Sequence, residues 1–318
     1  MNNLAWPRVV VLAGGVGGAK LADGFAQILP PGQLSVVVNT GDDFTHLGLT
    51  ICPDLDTVLY TLAGVANPTT GWGRAGESWR TLAEVERLGG PAWFRLGDLD
   101  MATHLTRAHL LEQGQTLTEV THHLAGRFGI LPALLPMCNE PAPTLIESDE
   151  GMLAFQTWFV EKRWGPAVKA VQLPADVRTT ANVLWALERA ELVVFAPSNP
   201  FVSIDPILNA YPIREMVADL PDLVVAVSPI IGGAAVKGPA AKMMRELGMP
   251  VTAQAIAEYY HDLIDIFVYD RMDDGMVSNP GYRPDQVLLC TQTLMENRAD
   301  RAQLAQTILD FCMEKAEG

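Results

Sequence analysis

The chain has 318 residues, 49% of them hydrophobic, enough to bury a sizeable core in one large or two ordinary domains. Its 37 acidic and 22 basic side chains give a formal net charge of -15, so a polyanionic nucleic acid would meet net repulsion and is not an expected partner. The four cysteines, Cys52, Cys138, Cys290 and Cys312, are scattered and read as reduced thiols; Met1 to Arg8 lacks the basic and apolar regions of a leader, and no run of about 18 apolar residues occurs, so a soluble cytoplasmic protein is expected.

In chain order, the strand-like Val9-Val10-Val11-Leu12 runs into Gly14-Gly15-Val16-Gly17-Gly18, and Lys20 to Phe25 reads as a helix. Glycines let the main chain approach a ligand, and N–H groups at a helix start carry partial positive charge, so this turn suits a phosphate. A dinucleotide fingerprint would need a glycine where Lys20 stands, and a P-loop would need a lysine directly after the last glycine, so neither template is met. A close-packed strand-to-helix turn without a ligand is the competing reading. Leu34 to Asn39 supplies a second buried strand, and this close succession of strand, helix and strand opens a βαβ unit.

The segment "NTGDDFTHLGLTICPDLDTVLY" then places Asp42, Asp43, Asp54 and Asp56 within 15 residues. Four such carboxylates are costly together unless they are solvated or neutralised by a cation, for which magnesium (Mg2+) is the natural choice. Helix capping by Asp54 or Asp56, and an ordinary polar turn at Asp42-Asp43, are the structural alternatives. From about residue 56 to residue 165, "SWRTLAEVERLG", "MATHLTRAHLLEQG" and "TLTEVTHHLAGRFG" carry helical apolar spacing and predict a mainly helical insertion. Within it Arg95 precedes a Gly97-Asp98 turn, and a helix from near Asp100 puts Asp100, His104 and Arg107 on one face. A cleft-facing arginine there would hold a phosphate or carboxylate in forked geometry. The aromatics of "LAFQTWFVEKRWG" read either as core or as one wall of a flat-ligand site.

Four later runs, "AELVVFAPSNP", "DLVVAVSPIIGG", "IDIFVYD" and "DQVLLCT", read as strands. In a doubly wound sheet the loops after them line one crevice. The expected fold is therefore α/β: a Rossmann-like three-layer sandwich with a mainly parallel sheet, one domain over residues 1–318, and a helical insertion at about 56–165. Neither G-x-S-x-G nor H-E-x-x-H occurs, and Lys20 and Lys237 look like charge clamps, so phosphoryl chemistry, which is mostly positioning and charge neutralisation, fits best.

The motifs "GGVGGAK", "PDLDTVLY", "RLGDLDMATHL", "APSNPFVSIDPI", "VAVSPIIGGAAVKGPAAKM" and "EYYHDLIDIFVYD", in that order, closely resemble the 2-phospho-L-lactate transferase family of coenzyme F420 biosynthesis over nearly the whole chain. The resemblance implies transfer of a phospho-three-carbon-acid group, 2-phospho-L-lactate or phosphoenolpyruvate, from a guanosine diphospho donor (LPPG or EPPG) to the ribityl hydroxyl of the deazaflavin Fo. GMP would be released with help from magnesium, and the protein would be a homodimer. Residue by residue, it places the nucleotide phosphates on Gly14, Gly15, Gly17, Gly18 and Lys20. The guanosine side would lie along Ser198, Asn199, Ser228 and Gly232, and Fo on Asp54 and Arg95. Asp54 and Asp56 are the catalytic candidates, and Asp42, Asp43 and Asp56 the metal candidates. The loop "GGVGGAK" with "NTGDD" and "GWGR" looks like the bacterial branch, a resemblance that brings in enolpyruvate beside lactate as the donor's acid, and motif reading does not separate the two. The alternative from another class is a non-enzymatic nucleotide-sugar-binding regulator of the gluconeogenesis-factor group. An NAD-dependent oxidoreductase lacks support, since the second strand ends in Asn39 where an acidic residue is expected for the ribose.

Overall fold

Valine-rich runs too short for helices form the framework, and they are apolar on both faces because helices cover a parallel sheet on both sides. The computed structural model describes residues 6–221, 223–279 and 286–317. Asp222 and Asp285, which begin two of the strand runs, and residues 1–5 of the leader reading lie outside the described residues.

Strand β1 (Val9–Ala13) passes through Gly14 into α1 (Gly15–Ile28), and β2 (Leu34–Val38) follows. A small hairpin, β3 (Phe44–His46) and β4 (Leu49–Ile51), leads to α2 (Pro53–Leu62), α3 (Arg80–Arg87), α4 (Asp98–Glu112) and α5 (Leu117–Arg127). After β5 (Ala133–Pro136), the strands β6 (Leu145–Ser148), β7 (Gly151–Ala154) and β8 (Val168–Gln172) form an antiparallel side sheet. Helix α6 (Ala181–Glu188) precedes β9 (Leu192–Phe195), and α7 (Asp205–Asn209) and α8 (Ile213–Ala218) precede β10 (Leu223–Val227). A two-residue hairpin, β11 (Ile230–Ile231) and β12 (Ala234–Ala235), is followed by α9 (Ala240–Glu246), α10 (Ala253–Tyr259), β13 (Ile266–Asp270), β14 (Val287–Thr291) and α11 (Arg298–Glu317).

The central sheet is parallel throughout, in the order β14-β13-β10-β9-β1-β2-β5. Along β1, Val9, Val11 and Ala13 pack with α1, α2 and α11, whereas Val10 and Leu12 join the opposite core with Phe195, Trp158 and Tyr260. Period-two alternation thus divides the interior into two cores and gives the three layers expected. The chain builds outward from β1 through β2 to β5, then returns and builds the other way from β9 to β14. Direction therefore reverses between β1 and β9, and the crevice beyond their carboxyl ends is where such sheets bind ligands.

The helical stretch differs from the expected insertion at 56–165. α-Helices occupy it as far as Arg127, after which β5 joins the central sheet beside β2, and a single π-helical turn at Thr157–Glu161 follows the side strands. The segment before β5 is thus the crossover between two sheet strands. The short run Ala133–Pro136 gave little strand signal because prolines flank and end it, which an edge strand tolerates. Most aromatics after β7 take the core reading: Trp158 is fully buried with its indole N–H donating to the Pro166 carbonyl at 2.9 Å, and Phe155 stacks on Phe159 at 5.4 Å, while Trp164 is exposed.

Candidate functional site

The turns after β1 and β9 meet directly. The Gly14 N–H donates to Ser198 Oγ at 3.2 Å, and the Ser198 hydroxyl donates back to the Gly14 carbonyl at 2.8 Å. A side chain at Gly17 would come within 2.3 Å of the Pro197 carbonyl oxygen, and one at Gly18 within 2.7 Å of Ser198 Oγ. At Gly14 it would meet Asp54 and Ser203, each at 2.6 Å, and Gly15 needs its freedom for another reason, a φ of +60°. The glycines are therefore required by close packing of the protein on itself. The N–H groups of Val16 and Gly17, in the first turn of α1, lack intrahelical acceptors by position and are directed toward the crevice end of the helix.

One of these helix-end groups is already engaged by an anion. Gly15 N–H donates to Asp54 Oδ1 at 2.8 Å, because α2 starts at Pro53 with Asp54 in its first turn. Asn39, at the end of β2, donates through one amide nitrogen to Asp54 Oδ2 at 2.9 Å, to Asp42 Oδ1 at 3.1 Å and to the Val202 carbonyl at 3.0 Å. Burial raises the pKa of Asp42 well above the carboxylate range, and the neighbouring Asp54 charge adds to the effect. Burial likewise pushes Asp54 up to about 6, against the Asn39 and Gly15 hydrogen bonds. Asp43 is raised chiefly by burial, despite a hydrogen bond from the Cys52 thiol, and its Oδ1 is a buried oxygen without a partner. These carboxylates crowd beside a helix N-terminus with no cationic side chain among their hydrogen-bond donors.

Asp56, whose charge, like that of Arg107, acts on Asp43, is held by different partners, and its pairing does not suit the expected metal and catalytic roles. Both of its oxygens accept from Arg107, Oδ2 from Nη1 at 3.1 Å and Oδ1 from Nη2, and all three groups of the Asp56–Arg107–His104 cluster are buried. His104 stands between Asp56, at 3.7 Å, and Asp100, at 3.3 Å, and Asp100 accepts from Tyr60 at 2.7 Å. Two helical turns of α4 thus bring Asp100, His104 and Arg107 onto one face, as their spacing predicts. Burial disfavours a charged Arg107, but the Asp56 carboxylate outweighs it and raises its pKa. With its carboxylate saturated by a guanidinium, Asp56 is a buried ion pair that fixes α2 to α4.

Arg95 lines a cleft of about 170 Å³ together with Asn67, Thr70, Trp72, Trp79 and Asp100. Its guanidinium lies over the Trp79 ring at 4.4 Å, and Arg74 reaches over Phe128 at 5.4 Å. Glu77 holds the start of α4 by accepting from the N–H groups of Leu99 and Asp100, both at 2.7 Å. Arg95 and Asp54 are therefore held by different elements: Arg95 by the cleft, Asp54 by the glycine turn.

The remaining expected residues have varied surroundings. Asn199 accepts from Phe201 N–H at 3.0 Å and caps the turn after β9; Ser228 bonds within its own loop, donating to the Ile230 carbonyl at 2.9 Å. Gly232 N–H donates to the Asp273 carboxylate at 3.0 Å. Lys20 reaches away from the turn to the Met295 carbonyl. Sequence reading passed over Asn39 as a mere strand end, and over Trp79 and Glu77 altogether. A polar residue ending a buried strand, two positions before a glycine, is the signal that could have found Asn39, whose Oδ1 also accepts from Gly41 N–H at 2.7 Å.

Magnesium keeps most of its waters and takes one or two carboxylates plus substrate phosphates, so it does not need a protein cage. Among the described residues no group of three or more His, Cys, Asp or Glu side chains is arranged to hold a metal ion. Asp42 and Asp43 fit the smaller demand, because neither accepts a hydrogen bond from a cationic side chain and Asp43 Oδ1 lacks a partner, with the Arg107 charge offsetting only part of that on Asp43. Asp56 does not fit it, because Arg107 already neutralises it.

Fold and site together define a doubly wound α/β protein whose polar groups gather at the switch point of a parallel sheet. A family model described as 2-phospho-L-lactate transferase CofD matches residues 9–306. The 2-phospho-L-lactate transferase of Methanosarcina mazei is 40% identical over 267 residues, covering 83% of this chain and 88% of that protein. The phosphoenolpyruvate transferase of Kitasatospora aureofaciens is 44% identical over 280 residues (85% and 87%), and that of Streptomyces coelicolor 39% over 319 residues (98% and 99%). The chain belongs to the 2-phospho-L-lactate transferase family and is a transferase. A solved protein of the UPF0052 family from Bacillus halodurans shares the fold, with a TM-score of 0.61 at 16% identity over 96% of this chain and 100% of that one. No helix among the described residues is long and apolar enough to cross a membrane.

Proposed function

We propose that the protein transfers a phospho-three-carbon-acid group, 2-phospho-L-lactate or phosphoenolpyruvate, from a guanosine diphospho donor to the deazaflavin Fo, in the biosynthesis of coenzyme F420. The observation that carries this reading is the group of buried carboxylates at the start of α1, which accept no hydrogen bond from a cationic side chain, in a chain whose relatives bear both transferase names. The donor's phosphates would lie along the glycine turn, against the first-turn N–H groups of Val16 and Gly17. Fo would enter the cleft, its flat ring against Trp72 and Trp79 and its polar edge toward Arg95. Its primary ribityl hydroxyl oxygen forms a bond to the phosphorus bearing the acid, and the bond from that phosphorus to the GMP phosphate oxygen breaks. GMP leaves with the bonding electrons, and the hydroxyl proton passes to the carboxylate of Asp54, whose raised pKa suits a base near neutral pH. Magnesium would be held by Asp42 and Asp43, and when bound it neutralises charge on the transferring phosphate.

In this reading the protein works in the cytoplasm as a homodimer. The nucleotide-sugar-binding alternative is not favoured, because the sequence relatives are transferases and the likeness to the solved structure concerns the fold alone. Titrating the purified protein with Fo, with and without GDP and magnesium, tests the acceptor: saturable binding is expected, and none under either condition would overturn it. Mass analysis of the product made from lactyl and enolpyruvyl donors then identifies the acid.

A further inference from the structure

Two lysines near α1 donate hydrogen bonds to main-chain carbonyls. Lys20 Nζ donates to the Met295 carbonyl, and Lys237 Nζ donates to the Thr70 carbonyl at 2.8 Å. Arg301 beside them is matched by Asp23 at 3.1 Å. Lys20 and Lys237 repel one another; Lys20 also has the Glu296 and Asp300 carboxylates to offset its charge, whereas the hydrogen bond of Lys237 goes to a carbonyl dipole. Burial lowers the pKa of Lys20, and the charges of Arg301 and Lys237 lower it further, against the raising effect of Glu296 and Asp300. Lys237, held by a carbonyl dipole and repelled by Lys20, is therefore the cation that an anion would draw.

The position of Lys237 narrows which anion. It follows the β11–β12 hairpin, between the left-handed Gly232 and Gly233 (φ +56° and +75°) and Gly238 (φ +73°). An added side chain at Gly71 would come within 3.0 Å of Lys237 Nζ and 2.8 Å of Val16 Cγ1, so lysine, glycine turn and the 70–71 segment meet at one point. Thr70, whose carbonyl holds the lysine, also lines the cleft with Arg95 and Asp100. The ammonium group therefore stands on the seam between turn and cleft, and a neutral carbonyl is a weaker partner for it than a phosphate oxygen.

We propose that Lys237 binds the non-bridging oxygens of the phosphate being transferred, moving from the Thr70 carbonyl onto them when the donor is in place. This rests on the transferase reading, in which the reacting phosphorus lies between the glycine turn and the cleft. A lysine suits the role because its ammonium is a compact charge on a flexible stem with three rotatable donors.

The test compares Lys237→Met and Lys237→Arg with the wild type in steady-state transfer, GDP titration and thermal melting. Lys237→Met should lower kcat by about 100-fold, the scale of losing one donor to developing charge. GDP affinity should fall by about 10-fold, the KM for Fo should be unchanged, and Lys237→Arg should recover part of the rate. Unchanged kcat and GDP affinity in Lys237→Met would overturn the proposal. So would a loss of GDP and Fo binding together with a lower melting temperature, which would make the lysine a structural strap. If the wild type makes no product, the transferase reading falls; the GDP titration then still judges the lysine, with equal affinity for both proteins rejecting phosphate contact.

Discussion

Two carboxylates two residues apart on the first turn of α2, Asp54 and Asp56, are about equally buried and have opposite surroundings. Asp54 meets Gly15, Asn39 and, through Asn39, a second carboxylate; Asp56 meets a guanidinium that fills both its oxygens. Burial alone therefore does not mark a reactive group. What separates the two is the counter-ion: the charge at Asp56 is already balanced within the protein, whereas that at Asp54 awaits a proton, a cation or a substrate.

The hardest way to break the contrast is to remove the counter-ion. Arg107→Met leaves Asp56 buried and unpaired and should cost about 3–5 kcal/mol in a denaturant titration. Replacing Asp56 as well, as Asp56→Leu/Arg107→Met, should recover most of that loss, because no orphan charge remains. A single variant as stable as the wild type would mean that water reaches Asp56 and that the pair is not structural.

Asp54→Asn should do the reverse. It keeps the shape and an acceptor for Gly15 N–H but removes the base, so turnover should fall by at least about 100-fold while the fold persists. Its effect on stability depends on pH, and the sign follows from the raised pKa. A buried acid held up at about 6, against 3.8 unfolded, binds its proton more tightly when folded, so folding is favoured below about pH 4 and that advantage is lost as pH rises through 6. The amide introduced by Asp54→Asn does not titrate. Relative to the wild type, the variant should therefore gain up to about 3 kcal/mol between pH 4 and pH 7.5, read from denaturation at the two pH values. No change in the difference would show that Asp54 is already compensated, like Asp56.

The contrast itself was only half legible in the sequence. The sheet was, because Val9–Leu12, Leu34–Val38, Leu192–Phe195 and Leu223–Val227 are short, β-branched and bounded by turn residues, a local pattern that needs no knowledge of what packs on it. So was the shared face of Asp100, His104 and Arg107, which follows from helix spacing. Which aspartate Arg107 would reach was not, since the partners are 51 residues apart and meet only when α4 packs beside α2. The glycine turn was legible as tight but not in its cause: Pro197 and Ser198, which make Gly17 and Gly18 necessary, come from the far side of the switch point. A bulky residue at Gly17 would thus disturb the meeting of two loops before any ligand arrived, which makes Gly17→Val a probe of packing more than of phosphate binding.

The smallest expected effect sharpens the comparison from a third position, where charge is neither buried nor paired. Arg95 is exposed, and what the structure adds to it is the Trp79 ring beneath its guanidinium. Arg95→Lys keeps the charge but gives up the planar stack and the forked donors, a loss of roughly 0.5–1 kcal/mol at an exposed site. The KM for Fo should rise by roughly 2- to 5-fold, with the KM for the guanosine donor and the melting temperature unchanged. If the donor KM rises instead, Arg95 serves the nucleotide half and the cleft is assigned the wrong way round. If both rise together, the cleft and the glycine turn act as one site, and the separation of Arg95 from Asp54 has no counterpart in function.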